Sequence, residues 1–181
     1  MKRIGDVLRL LGATPSRSAI AGHSRKTRNT RLLTWLRDGT KGPPLHLHAG
    51  ACHCGYVKVE GEADPEKTTV CHCTDCQVGT GSAFRVNVPV PGATFRITGQ
   101  PATYLKTTAE SGNQRLQAFC PRCGSPIYST SPGEGQQASY MVRVGILRQR
   151  RDFVPRRQNW FRSALPWVSS LATLRRNEKQ A

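Results

Sequence analysis

Seven cysteines lie between residues 52 and 123, at positions 52, 54, 71, 73, 76, 120 and 123, and each has another cysteine within three positions. An odd number cannot close as a full set of intrachain disulfides, and disulfide frameworks spread their cysteines over many loops. Tight pairs are what a metal ion takes from a reduced, intracellular chain, so these residues read as zinc ligands in a cytoplasmic protein. The chain of 181 residues, 37% hydrophobic and 21% charged, suffices for one ordinary domain with a buried core. No window approaches the ~18 consecutive apolar residues of a membrane-spanning helix, so no membrane partner is expected.

Charge is unevenly placed. Residues 1–44 carry ten Lys/Arg against Asp6 and Asp38, a net +8, and residues 148–181 carry nine against Asp152 and Glu178, a net +7. The middle, 45–147, has eight basic against seven acidic residues, a net +1. The cysteine-bearing region is nearly neutral, whereas a nucleic-acid module is expected to show a basic patch on its folded surface. Nucleic acid is therefore a possible partner but not the favoured one, and solvated basic ends are the plainer account. The expected organisation is a basic, poorly ordered N-terminal extension over 1–44, a zinc-binding domain over 45–168 and a basic C-terminal tail over 169–181. The extension is a flexible tail, a targeting segment or an incorrectly assigned start.

Hydrophobic periodicity points to a mainly β domain. Tyr56–Glu60, Phe84–Val90, Thr94–Ile97 and Ala138–Leu147 alternate or are rich in β-branched residues, and Gly and Pro fall between them. No long segment between 49 and 147 shows a helical apolar period. The expected fold is a set of small antiparallel sheets around zinc sites, with knuckles like those of zinc ribbons.

The cysteine spacings differ in what they permit. In Phe119-Cys120-Pro121-Arg122-Cys123-Gly124 two thiolates flank a tight turn and fill half of a tetrahedral site. Cys52-His53-Cys54-Gly55 is the best source of the other half, because residues i and i+2 of a strand share a face. Two unrelated buried pairs are the alternative. Cys71-His72-Cys73-Thr74-Asp75-Cys76 supplies three sulfurs from one short loop. That leaves a fourth position open for a substrate, unless His72, Asp75 or a distant residue closes it. His72 alternates away from its neighbours, and Asp75 is better suited to accepting backbone hydrogen bonds in the turn.

These motifs resemble the glutathione-dependent formaldehyde-activating enzyme family, whose domain also occurs in centromere protein V. The resemblance rests on Gly50–Gly55, on Cys71–Cys76 with Gly79 to Ala83 following, on Phe119–Gly124, and on the segment from Phe153 through Trp167. It implies two zinc ions per chain. Cys52, Cys54, Cys120 and Cys123 would hold a structural one, and Cys71, Cys73 and Cys76 a catalytic one. It further implies a carbon–sulfur lyase of the S-(hydroxymethyl)glutathione synthase type, with glutathione and formaldehyde, or a related thiol and aldehyde, as partners. The competing class is a non-catalytic, zinc-stabilised binding module whose basic ends contact an acidic partner. A filled fourth position at the three-cysteine site would favour that module. Phe84, Arg85 and Arg143 lie on strands near the motifs, and an arginine there could hold a glutathione carboxylate, although ordinary surface arginines are the expectation. Trp160 and Trp167 are expected to pack in the core or a lid. Oligomeric state has no signature in the sequence.

Overall fold

A computed structural model describes residues 45–133 and 135–180. The basic N-terminal extension lies outside the described residues. Ten strands follow in order: β1 (Leu45–Ala51), β2 (Lys58–Ala63), β3 (Thr69–Cys71), β4 (Arg85–Pro91), β5 (Arg96–Thr98), β6 (Ala102–Lys106), β7 (Arg115–Phe119), β8 (Pro126–Thr130), β9 (Ser139–Arg143) and β10 (Arg157–Asn159). One α-helix, α1 (Thr74–Thr80), sits between β3 and β4, and several short 3-10 turns complete the chain. No helix of the described residues is long and apolar enough to cross a membrane.

The mainly β expectation is met, with a difference in scale. Alongside a three-stranded sheet, β1-β2-β5, stands a seven-stranded one, β10-β3-β4-β9-β8-β7-β6. All pairings are antiparallel except β10 with β3, which is parallel. The two sheets meet through their apolar faces. Val57, Val59 and Phe95 from one side and Val88, Val90, Val142 and Ala118 from the other belong to one buried cluster. Each buried Val contributes roughly 1.5–3 kcal/mol relative to exposure. Phe95 stacks on Tyr140 at 4.3 Å between ring centroids and meets the edge of Tyr128 at 5.4 Å, tying the sheets at one end.

Three element boundaries depart from the alternation pattern, the simplest being Thr94–Ile97, where the strand begins only at Arg96. The run Ala138–Leu147 is a strand only over Ser139–Arg143, after which Val144–Ile146 turns in a 3-10 helix that buries Val144 and Leu147. Residues 56 and 57 precede β2 in an irregular loop, where the Val57 amide donates to the Cys52 sulfur at 3.2 Å. A buried backbone donor with a sulfur partner outweighs the local strand preference there.

The other face of the large sheet is polar. Successive strand residues point to opposite faces, so the register that turns Val86, Val88 and Val142 one way turns Arg85, Asn87, Arg143, Met141, Ser129 and Gln117 the other. That second face is the floor of the site.

Candidate metal centres and the cleft between them

The four sulfurs of Cys52, Cys54, Cys120 and Cys123 lie within 4.8 Å of one another, and so, separately, do those of Cys71, Cys73 and Cys76. Four sulfurs at about 2.3 Å from one zinc ion in a tetrahedron are about 3.8 Å apart. Here the Sγ–Sγ separations are 3.6 Å for Cys52–Cys54, 3.7 Å for Cys54–Cys120 and 3.5 Å for Cys71–Cys73. The donor sets therefore fit metal ions, and all seven cysteines are free thiols.

The four-sulfur cluster is built from two turns rather than from a strand. β1 ends at Ala51, so Cys52 and Cys54 converge through a turn closed by the Gly55 amide donating to the Cys52 carbonyl at 3.0 Å. Opposite it, Gly124 adopts φ +70°, and its amide donates to the Cys120 carbonyl at 2.9 Å. A side chain at that φ would be strained, so Gly is the residue that lets Cys120 and Cys123 face one point. Ser125 binds both halves: its hydroxyl accepts from the His53 amide at 3.1 Å and hydrogen-bonds the Cys123 sulfur at 3.2 Å. That contact holds the Cys123 thiol down at about 5, so it is ionised at neutral pH.

The three-sulfur cluster sits where β3 passes into α1. Cys71 ends the strand, Cys73 occupies the N-cap position and Cys76 lies in the first turn, with its amide donating to the Cys73 carbonyl at 2.9 Å. Neither suggested fourth ligand is present. His72 is buried at 1% exposure, hydrogen-bonded through Nε2 to Gln158 at 2.8 Å and flanked by the edges of Phe84 and Phe161. Asp75, expected to accept backbone hydrogen bonds, instead pairs with Lys106. Among the described residues, three sulfurs form this group and no fourth donor joins it.

The cluster loop is held from the C-terminal side. The His72 backbone amide donates to the Asn159 carbonyl at 3.0 Å, while the Gln77 side-chain Nε2 donates to the carbonyls of His72 and Ser163, each at 2.8 Å. Gln77, Gln158 and Asn159 are positioning residues that sequence reading missed, because Gln77 reaches Ser163 and Gln158 reaches His72 across 86 residues, and Asn159 meets His72 across 87. Trp160 follows at φ +56°, the one described non-glycine residue with positive φ. Such strain persists where surroundings over-determine it. Trp160 borders the site, whereas Trp167 is 52% exposed and packs in no core.

A cleft of about 850 Å³ opens on the three-sulfur cluster and runs along the polar sheet face, with Arg85, Arg143, Gln117 and Lys106 in its lining. Arg85 and Arg143, expected at the surface, are only 7% and 6% exposed. Gln117 Oε1 accepts from Arg85 at 3.1 Å and from Arg143 at 2.7 Å, and Asn87 Oδ1 accepts from Arg143. Burial, reinforced by the neighbouring Arg85, pulls the Arg143 guanidinium down to about 9, still charged at neutral pH.

Within the sulfur cluster a hydrogen bond from Cys76 brings the Cys71 thiol down to about 5, and the same contact pushes Cys76 up. A lowered thiol is reactive above its folded value, so Cys71 stays a thiolate from about pH 5 upward while an ordinary cysteine titrates near ~8.5. With metal withdrawn from this cluster, iodoacetamide at pH 6.5 is expected to modify Cys71 well before Cys76. Peptide mapping by mass spectrometry reads the order, and Cys76 reacting first would contradict this electrostatic picture.

A Rhodobacter sphaeroides protein of known crystal structure is similar over 62% of this chain and 100% of its own, at 20% identity and a TM-score of 0.47. The sequence profile of the glutathione-dependent formaldehyde-activating enzyme family matches residues 47–163, more than half of the chain and inclusive of all seven cysteines, so this protein belongs to that family.

Proposed function

We propose that this protein joins glutathione, or a related thiol, to formaldehyde or another small aldehyde, as an S-(hydroxymethyl)glutathione synthase type of carbon–sulfur lyase working in the cytoplasm. Cys71, Cys73 and Cys76 would hold a catalytic zinc ion, and Cys52, Cys54, Cys120 and Cys123 a structural one, two ions per chain. The observation that carries this reading is the three-sulfur group without a fourth donor among the described residues, opening on a cleft large enough for a small organic substrate. Binding modules have no need of that opening, and a structural site closes its coordination shell.

The chemistry is an addition. The thiol sulfur bonds to the aldehyde carbon, the carbonyl π pair moves onto oxygen, and the thiol proton ends on that oxygen. Zinc, when bound, keeps a sulfur ligand deprotonated at neutral pH and acts as a Lewis acid toward oxygen. The chain's own residues supply position and field. Gln77 and the segment around Asn159 fix the sulfur-bearing loop, and the Asp75–Lys106 pair lines the cleft. The buried guanidiniums add a positive field around an anionic thiolate, favouring charge on sulfur and on the developing alkoxide.

Exchange spectroscopy by NMR between hydrated formaldehyde and its glutathione adduct tests the proposal. Thiols add to formaldehyde unaided, so the comparison is between samples with and without zinc-loaded protein. An acceleration of about tenfold or more, some 1.4 kcal/mol of barrier, is expected at micromolar protein. Equal exchange rates would leave the binding-module reading in its place.

A further inference from the structure

We infer that the floor of the cleft is a subsite for a carboxylate of the substrate, held by Arg85 and Arg143 beside the three-sulfur cluster. Strand register fixes the placement. Arg85 lies directly across from Cys71 in the β3–β4 pair, and Arg143 lies across from Asn87, two residues further along β4. Directly opposed residues share a sheet face with Cβ atoms about 4.5–5.5 Å apart, so the guanidinium of Arg85 and the sulfur of Cys71 border the same space.

Both arginines are more than nine-tenths buried, and among the described residues neither has a carboxylate partner. Their partners, Gln117 and Asn87, are neutral. The carboxylates that line the cleft, Asp75 and Glu110, are taken by Lys106 and Arg162. The Nε atoms of both arginines are buried without a hydrogen-bond partner. Two buried like charges sharing one neutral acceptor are costly unless an anion compensates them.

The sulfur cluster supplies part of that compensation and not all of it. Three thiolates around a divalent ion carry a net −1, against two guanidiniums. Arg115, whose guanidinium bonds the neutral Ser131 hydroxyl, also lines the cleft, so positive charge is left over and a substrate carboxylate offsets part of it. The planar donor fork of arginine matches a carboxylate's two oxygens. The helix makes room for this arrangement: a Cβ at Gly79 would come within 2.4 Å of Arg85 Nη2.

This inference rests on the thiol–aldehyde reading for the identity of the substrate, though not for the charge of the subsite. The carboxylate could arrive with the thiol, since glutathione carries two, or with the aldehyde, as in glyoxylate. In either case the addition is the one written above; the carboxylate is a handle and is unchanged by the reaction.

The test measures equilibrium binding to full-length, zinc-loaded protein by calorimetry, with tryptophan fluorescence as a second signal. In one arm S-methylglutathione, which has no free thiol to offer a metal, is compared with its uncharged-end diester. In the other, glyoxylate is compared with glycolaldehyde. A charged ligand about tenfold or more tighter than its uncharged counterpart is expected in at least one arm, and the arm that shows it identifies which substrate brings the carboxylate. Arg143→Gln should erase the preference. Gly79→Ala, which displaces the Arg85 guanidinium while leaving both arginines in the chain, should weaken it, and keeps the test alive if Arg143→Gln does not fold. Equal affinities in both arms for the unaltered protein overturn the inference. Thiol–formaldehyde exchange without any carboxylate preference sinks the subsite alone; a preference without exchange sinks the proposed reaction alone.

Discussion

Replacing Cys120 or Cys123 with serine is expected to unfold or aggregate the domain. A structural zinc site contributes roughly 10–16 kcal/mol to folding in small domains, while whole domains are stable by about 5–15 kcal/mol. Losing one of four thiolates therefore threatens a quantity as large as the total stability. The architecture adds to this. Cys52 and Cys120 are buried in the same apolar cluster as Val57 and Val59, so the four-sulfur site is part of the core and not an appendage. It joins the turn after β1 to the turn between β7 and β8, which belong to different sheets. Urea melts with zinc counted by native mass spectrometry decide the matter. A variant with an unchanged midpoint and a retained ion would show that this cluster does not carry the fold.

Cys73→Ser should behave in the opposite way, abolishing thiol–aldehyde exchange while shifting the melting temperature by only a few degrees, on the order of 1–2 kcal/mol. The three-sulfur cluster lies on the polar face of the large sheet, away from the shared core, and its loop retains the Gln77, His72 and Asn159 hydrogen bonds when one sulfur is lost. Three thiolates leave a divalent ion at −1 with a position vacant, whereas four leave it at −2 and enclosed. An incoming thiol therefore has access to the first ion alone. Graded titration with glutathione, followed by zinc stoichiometry, should show that ion competing with free thiol and leaving first, with one zinc remaining per chain. Loss of both ions together, or a Cys73→Ser protein that melts like the Cys120 variant, would end the division into one structural and one catalytic site.

The close grouping of cysteines was the legible part of this sequence. Thiolates one to three positions apart have little choice but to meet within one short turn, so Cys120 with Cys123, and Cys71 with Cys73 and Cys76, are proximities set by chain geometry. The mainly β character was legible for a related reason. Alternation in Phe84–Val90 reports two faces with different surroundings, and β4 fills Arg85–Pro91. Shorter strands left no such mark. β10 is Arg-Gln-Asn, without a hydrophobic residue, and it exists because β3 offers it an edge to pair with.

Local spacing by itself determined the sulfur pairs and the triplet, because neighbouring residues cannot avoid one another; that Cys52 and Cys54 meet Cys120 and Cys123 is a tertiary contact across 66 residues. Tertiary structure alone decided what surrounds them. Arg85 and Arg143 look like surface arginines in the sequence, where their neighbours are ordinary strand residues. Only the order β3-β4-β9-β8-β7 brings them together over Gln117 and buries them beside Cys71. A charge is placed by long-range pairing between strands, and no residue near it in the chain records which strand will lie alongside.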